Sequence, residues 1–242
     1  MTPLSPEITH LLLDIEGTTC PVSFVAEVLF PYARARLSSY CEAHAQDPEL
    51  QDLLQAVDLA WASDTHPDAQ ALRLGQDQGM NVVTYLEWLI DNDVKLTPLK
   101  DLQGRIWEAG YSKGDIVAPL FDDVPAALQQ WHHQQKVLAV YSSGSVAAQQ
   151  LLYGHCQAGD LRGLFSHWFD TRTGLKQVPS SYTAIAGAMG TVPAQVLFFS
   201  DSLAEITAAA EAGMAVLFSD REGNPGRNAG PFEKISDYSQ IT

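Results

Sequence analysis

Cationic side chains are scarce in this sequence. The 242 residues include 14 Lys and Arg against 29 Asp and Glu, which gives a formal net charge of −15. Nucleic acid and anionic membranes are bound through clustered Lys and Arg, so this balance argues against both as partners. The same charge repels an anionic substrate at long range. An anionic ligand would therefore need a local source of positive charge, such as a metal ion or a few well-placed donors.

Cysteines and long apolar runs are also few. The three cysteines, Cys20, Cys41 and Cys156, are odd in number and widely spaced, which argues against a disulfide framework or a C-x-x-C zinc site. No basic segment followed by an apolar stretch stands at the N-terminus, and no run approaches the ~20 apolar residues of a membrane span. We therefore expect reduced cysteines in a cytoplasmic protein that makes no contact with a membrane.

The spacing of apolar residues changes twice along the chain. The run 9–14 has no helical period and predicts a buried strand that ends in a carboxylate. From about Val22 to Gly114, apolar residues recur every three or four positions, which indicates helices alone. After Asp122 the pattern predicts helices over 124–134, 146–154, 182–189 and 204–212, alternating with strands over 137–141, 167–169, 196–199 and 215–218.

This order predicts an α/β fold with an insertion. Strands that alternate with helices form parallel sheets, and a lone first strand must join the later sheet to be stable. We therefore predict a Rossmann-like parallel-sheet core made of residues 1–20 and 116–242. Residues 21–115 form an all-helical domain inserted into that core.

Polar residues stand at the ends of the predicted strands. Ligands of open parallel sheets bind at the carboxyl ends of the strands, so these residues are the candidate site. They are Asp14 and Glu16 after the first strand, Ser142 and Ser143 before a helix, Lys176 at the end of a loop, and Asp201 after a later strand, with Glu205 one helical turn further on.

This set suits phosphoryl transfer through a carboxylate. Asp14 can attack phosphorus, which splits one difficult displacement into two easier ones. Because anion then meets anion, a hard divalent cation is needed, and Asp14 and Asp201 offer the oxygens that Mg²⁺ prefers. Ser142 and the start of the following helix can cradle phosphate oxygens, and Lys176 can balance the charge. Glu16 is placed to handle the proton of the leaving group and of the attacking water.

Each motif has an ordinary structural interpretation when it is taken alone. D-x-E-G-T could be an acidic turn, Ser142–Ser145 a helix cap, and Asp201 an N-cap residue. The functional interpretation depends on all of them falling in order at predicted strand ends.

The same motifs resemble those of the haloacid dehalogenase superfamily, in which the first motif is usually D-x-D-G-T. Here Glu16 replaces the second Asp, and D-I-E-G-T-T-C-P-V-S-F is similar to the signature of the enolase-phosphatase E1 family of methionine salvage. The likeness covers almost the whole chain, through residues 29–33, 103–107, 123–125, 141–146, 169–171 and 174–176. Ser200, Ser202 and the segment 221–224 depart from the pattern or vary, and we predict that they do not touch the chemistry.

The resemblance implies a haloacid dehalogenase-like fold with a helical cap, and a Mg²⁺-dependent phosphoric monoester hydrolase with two activities. Such an enzyme enolises 2,3-diketo-5-methylthiopentyl-1-phosphate and then removes the phosphate, which gives the acireductone 1,2-dihydroxy-5-methylthiopent-1-en-3-one. It implies one Mg²⁺ per subunit in a cytoplasmic monomer. Asp14, Glu16 (through its carbonyl) and Asp201 would bind the metal, and Ser142, Ser143 and Lys176 the phosphate; Asp14, Glu16 and Lys176 would be catalytic.

Three alternatives stay open at the level of sequence. A general haloacid dehalogenase-type phosphatase acting on another small phosphate ester has the same core motifs. A hydrolytic dehalogenase has the same nucleophile, but its leaving halide needs no general acid such as Glu16. A binding protein with a decayed site is opposed by the presence of every required residue type. The base that removes the carbon-bound proton and the residues that contact the methylthio tail, with Trp107 and Tyr111 as candidates, are not identified by the sequence.

Overall fold

The computed structural model describes residues 4–75, 81–92 and 94–241. The chain divides into two compact units, one of residues 1–25 with 117–242 and the other of residues 26–116. None of the described helices has both the length and the apolar character needed to cross a membrane.

The first unit is built on a six-stranded parallel sheet in the order β3-β2-β1-β4-β5-β6. Its strands are β1 (His10–Leu13), β2 (Val137–Tyr141), β3 (Phe165–Phe169), β4 (Val196–Ser200), β5 (Ala215–Ser219) and β6 (Lys234–Ile235). β1 lies between β2 and β4, with Leu13 opposite both Val140 and Phe199. The residues that follow these three strands therefore emerge side by side at one edge of the sheet, here called the carboxyl edge.

Among the described residues of the second unit, every element of regular secondary structure is a helix. The one-turn helix α1 (Val22–Phe24) precedes this unit, and a π-helical turn (Val25–Leu29) spans its beginning. Its helices are α2 (Phe30–Ala43), α3 (Pro48–Ser63), α4 (Pro67–Leu74), α5 (Val82–Asp91) and α6 (Thr97–Lys113). Leu37, Leu50, Trp61, Leu86 and Ile106 are fully buried in its own core. The prediction that residues 22–114 form helices and no strands is confirmed for the described residues. Pro48 begins α3, as the sequence indicates.

The remaining helices belong to the α/β unit: α7 (Val124–His133), α8 (Val146–Gly154), α9 (Pro179–Ala188) and α10 (Leu203–Glu211). They alternate with β2 to β5, as the sequence predicts. Leu12, Ala139, Ile185, Phe198 and Ile206 form part of the buried core between the helices and the sheet. The predicted bounds of β2 and α8 are confirmed, whereas β3 and α9 begin earlier than predicted.

Candidate active site

A cavity of about 170 Å³ opens at the carboxyl edge, within the α/β unit. All six residues that the sequence predicts as site residues line it. The lining comprises Asp14, Glu16, Ser142, Ser143, Lys176 and Asp201, together with Val22, Glu205 and Pro225. The parallel register explains this convergence, because Asp14, Ser142 and Asp201 are the first residues after three neighbouring strands.

Asp14 is held in a single orientation at the floor of the cavity. Its side chain is 8% exposed, and the N–H of Ile15 donates to its Oδ1 at 2.8 Å. The Lys176 ammonium lies 2.7 Å from the same oxygen. The other oxygen, Oδ2, lies 3.1 Å from the Ser200 hydroxyl. Both oxygens are therefore oriented before any ligand enters.

Lys176 contacts two carboxylates at once. Its Nζ lies 2.7 Å from Asp14 Oδ1 and 2.6 Å from Glu205 Oε2. Burial alone would lower the pKa of Lys176, but the charges of Asp14 and Glu205 outweigh it and raise that pKa above its usual value. The Lys176 amine therefore stays protonated. Among the described residues it is the one cationic side chain that lines the cavity, and so supplies the local positive charge that an acidic chain needs to hold an anion.

Asp201 and Glu205 are buried close to the negative charge of Asp14. Burial, followed by repulsion from Asp14, raises the pKa of Asp201 to about 7 and that of Glu205 to about 7. Each carboxyl therefore holds its proton more tightly than an exposed carboxyl does. A cation close to Asp14 and Asp201 would remove this repulsion.

The donors at this place fit a hard divalent cation. No group of three or more His, Cys, Asp or Glu side chains with metal-binding geometry occurs in the described part of the chain. Mg²⁺ does not require such a cage, since it usually keeps several waters and takes one or two carboxylates together with substrate phosphate. Asp14 and Asp201 line the same cavity and provide two carboxylates. This is the oxygen-only donor set expected for that ion.

Gly17 lets the first loop approach Asp201 closely. Its φ is +67°, and a Cβ at this position would lie 2.1 Å from Asp201 Oδ2. Any side chain would therefore displace the carboxylate. The glycine of the D-x-E-G-T motif thus has a packing reason as well as a conformational one.

The loop that the sequence predicts to cradle phosphate follows β2. Ser142 is buried, and its hydroxyl accepts a hydrogen bond from the N–H of Gly144 at 3.2 Å, whereas Ser143 is exposed. The Ser145 hydroxyl caps α8 by accepting from the N–H of Ala148. The helix-cap interpretation therefore holds for Ser145, and Ser142 and Ser143 remain on the cavity wall.

One of the two predictions about the flanking residues is wrong. Ser200 does touch the site, because its hydroxyl reaches both Asp14 and Glu205. The segment 221–224 touches it indirectly: Asn224 donates to the carbonyl of Gly17 at 2.8 Å, and Arg221 donates to that of Thr18 at 3.3 Å. A contact with a main-chain carbonyl has no residue-type signature, which is why the sequence did not reveal these roles.

Comparison with known proteins agrees with this geometry. The family described as haloacid dehalogenase-like hydrolase matches residues 8–213. Enolase-phosphatase E1 of Parasynechococcus marenigrum is 51% identical over 97% of this chain and 98% of its own length. Enolase-phosphatase E1 of Thioalkalivibrio sulfidiphilus is 47% identical over 96% and 97%.

Solved structures give the same fold. The UTR4 protein of Saccharomyces cerevisiae superposes with a TM-score of 0.71 at 33% identity, covering 95% of this chain and 98% of that one. A dehalogenase superposes with a TM-score of 0.55 at 17% identity over 98% and 96%, a likeness of fold alone. The chain belongs to the haloacid dehalogenase-like hydrolases and, within them, to the enolase-phosphatase E1 family.

Proposed function

We propose that this chain is a bifunctional enolase-phosphatase that acts through an aspartyl-phosphate at Asp14. It enolises 2,3-diketo-5-methylthiopentyl-1-phosphate and then hydrolyses the phosphate, which yields the acireductone 1,2-dihydroxy-5-methylthiopent-1-en-3-one for methionine salvage. The observation that carries the proposal is the contact of the buried Asp14 carboxylate with the Lys176 ammonium on the wall of a cavity lined by Ser142 and Asp201.

Phosphate transfer proceeds in two steps on the chain's own residues. Asp14 attacks phosphorus and the ester oxygen leaves, taking a proton from Glu16. Glu16 then accepts a proton from water, which attacks the phosphorus and releases Asp14. Lys176, Ser142 and Ser143 hold the phosphate oxygens throughout both steps.

The metal belongs to this proposal. One Mg²⁺ per subunit would be held by Asp14, Asp201 and the carbonyl of Glu16, and it would reduce the repulsion between the attacking carboxylate and the phosphate.

The remaining parts of the proposal concern the whole protein. We propose that the helical residues 21–115 serve as the cap domain of residues 1–20 and 116–242. We also propose that the enzyme works as a cytoplasmic monomer on a small phosphate ester, without nucleic acid or membrane.

The test measures both activities of the purified protein with Mg²⁺ present. Formation of the enol and release of phosphate are followed separately on the diketo phosphate ester, and a panel of other phosphate esters tests the alternative of a general phosphatase. Release of phosphate from other esters but not from this one would favour the alternative.

Asp14→Asn tests the covalent step in the same assay. The substitution is nearly isosteric, so the fold should persist while phosphate release falls by several orders of magnitude, up to ~10⁶-fold. Asp220→Asn is the matched control, because Asp220 also follows a strand but pairs with Arg227 and Lys234 outside the cavity. Retention of a tenth of the wild-type rate by Asp14→Asn would rule out the covalent mechanism.

A further inference from the structure

The loop that carries Lys176 has little regular structure to hold it. It runs between β3 and α9, and the Leu175 side chain is 64% exposed. The next side chain, Lys176, is only 9% exposed and reaches the Asp14 carboxylate. A flexible loop would not hold the Lys176 ammonium at a fixed position beside Asp14, so the backbone of residues 174–176 must be held by other contacts.

Three hydroxyls supply those anchors on three consecutive carbonyls. Tyr141 donates to the carbonyl of Gly174 at 2.8 Å. Ser181 donates to the carbonyl of Leu175 at 2.8 Å, and Tyr182 donates to that of Lys176 at 2.6 Å. Each of these three carbonyls of the lysine loop is thus bound by a side chain from an adjoining element of the core, β2 or α9.

The donors themselves are fixed. Tyr141 and Tyr182 are fully buried, and their rings meet edge to face with centroids 5.7 Å apart. Burial raises the pKa of both phenols, so each keeps the proton that it donates. Ser181 is also buried, and its Oγ would lie 2.2 Å from a Cβ at Gly174, so the loop packs directly on it.

We propose that Tyr141, Ser181 and Tyr182 are positioning residues that set the place of the Lys176 ammonium through the loop backbone. None of the three lines the cavity, so they act through Lys176 rather than on the phosphate. The inference rests on the proposed function, in which Lys176 holds the phosphate. It predicts that a hydroxyl remote from the substrate controls phosphate affinity.

Tyr182→Phe is the principal test, because it removes the donor to the Lys176 carbonyl and keeps the ring. Catalysis can lose up to ~10²-fold when a reacting group moves by ~1 Å, so we expect kcat/KM to fall about tenfold. Inhibition by inorganic phosphate should weaken by a similar factor. Ser181→Ala should act in the same direction.

Tyr238→Phe is the matched control. Tyr238 is also fully buried in the α/β unit, and its hydroxyl lies 2.9 Å from Ser219 Oγ, away from the lysine loop. The substitution Tyr238→Phe should lower Tm by about as much as Tyr182→Phe does. It should change kcat/KM and the inhibition by inorganic phosphate by less than about twofold. Equal kinetic losses in the two variants would overturn the proposal, since both would then reflect general destabilisation.

A double-mutant cycle with Lys176→Met provides the second measurement. If Tyr182 acts through Lys176, adding Tyr182→Phe to Lys176→Met should leave the affinity for inorganic phosphate unchanged. An undiminished effect in the Lys176→Met background would overturn the proposal. Should Lys176→Met not fold, the comparison of Tyr182→Phe with Tyr238→Phe decides alone. A wild-type protein that releases no phosphate from any ester refutes the proposed function instead, so the two failures are distinguishable.

Discussion

Gly17→Ala should disable the metal site while leaving most of the fold intact. Gly17 has φ +67°, and an added Cβ would lie 2.1 Å from Asp201 Oδ2 and 2.9 Å from Asn224 Nδ2. Ordinary van der Waals contact begins at 3.4 Å, so the Asp201 carboxylate must retreat by about 1.3 Å or the loop must move. Asp201 would then no longer share a cation with Asp14.

The magnitude has two parts with different origins. The left-handed backbone costs ~1–2 kcal/mol of folding free energy for any residue that carries a Cβ. The displacement of Asp201 affects metal binding instead. Loss of the groups that orient a metal ligand typically costs ~10- to 100-fold in metal affinity, so a displaced Asp201 should raise the Mg²⁺ concentration for half activity by up to ~10²-fold.

Gly190→Ala separates these two parts. Gly190 lies in the same unit with φ +75°, and a Cβ there meets nothing within 4 Å. Both variants should therefore lose stability in denaturant titrations, Gly17→Ala at least as much as Gly190→Ala because its Cβ also overlaps Asp201. Only Gly17→Ala should need more Mg²⁺, both for activity and for binding by titration calorimetry. An unchanged Mg²⁺ requirement in Gly17→Ala would refute the close approach of Gly17 to Asp201.

Three further predictions concern the metal, its protons and the general acid. EDTA should abolish activity and Mg²⁺ should restore it, whereas Ca²⁺ should substitute poorly because it prefers a larger and looser coordination shell. Asp201→Ala should raise the Mg²⁺ concentration needed for half activity. An Asp201→Ala enzyme with unchanged metal dependence would contradict the proposed metal site. Because burial and the Asp14 charge raise the pKa of Asp201 to about 7, the folded metal-free protein keeps a proton that the unfolded chain releases above about pH 4. Between about pH 4 and about pH 7, the Tm of the metal-free wild-type protein should therefore fall relative to that of Asp201→Asn. Over the same interval the affinity of the wild-type protein for Mg²⁺ should rise. A difference in Tm between the two proteins that does not change with pH would contradict this prediction. We propose that Glu16 also accepts the proton from carbon during enolisation. Glu16→Asp should then reduce enolisation, measured by solvent-deuterium incorporation, far more than phosphate release from a non-enolisable ester, because the shorter side chain no longer reaches the carbon. Equal losses in the two assays, or a loss confined to hydrolysis, would refute this role at carbon.

The sequence predicts the central strands of the sheet well because β1, β2 and β4 are buried along nearly their whole length. β2 is a continuous apolar run and its bounds are predicted correctly, whereas β4 is apolar up to Phe199 and ends one residue later, at Ser200. β6 is missed because two residues carry no pattern, and its pairing with β5 depends on the fold. α9 begins at Pro179, three residues before the predicted start, although proline is a common first residue of helices.

The helices of the inserted unit are harder to predict one by one. α2 buries only Ala33, Leu37 and Cys41, and α4 buries only Ala69, so neither has a broad apolar face. α3 and α5 bury large side chains such as Trp61 and Leu86, and their periods are visible in the sequence. What makes a helix predictable is therefore the size of the face that it buries.

The same distinction applies to the candidate site. Residues whose side chains enter the cavity stand at strand ends, where a parallel sheet brings them together, so a list of polar residues at those ends finds them. Residues that hold the loops act on main-chain carbonyls: Asn224 on Gly17, and Gln149 on Gly144 at 2.9 Å. Any donor of the right length could serve there, so the sequence offers no motif, and only the structure identifies them.

The charges around the cavity explain why metal and substrate should bind together. Among the residues that the structure describes, the cavity is lined by four carboxyl groups, Asp14, Glu16, Asp201 and Glu205, and by a single ammonium, Lys176. A phosphate dianion would add to the excess of negative charge that, together with burial, already raises the pKa of Asp201 and of Glu205. A divalent cation offsets that excess, so it should strengthen phosphate binding, and by linkage phosphate must strengthen cation binding by the same factor. The tight binding of either ligand therefore depends on the other, which keeps an acidic cavity from accumulating phosphate without the ion that its chemistry requires.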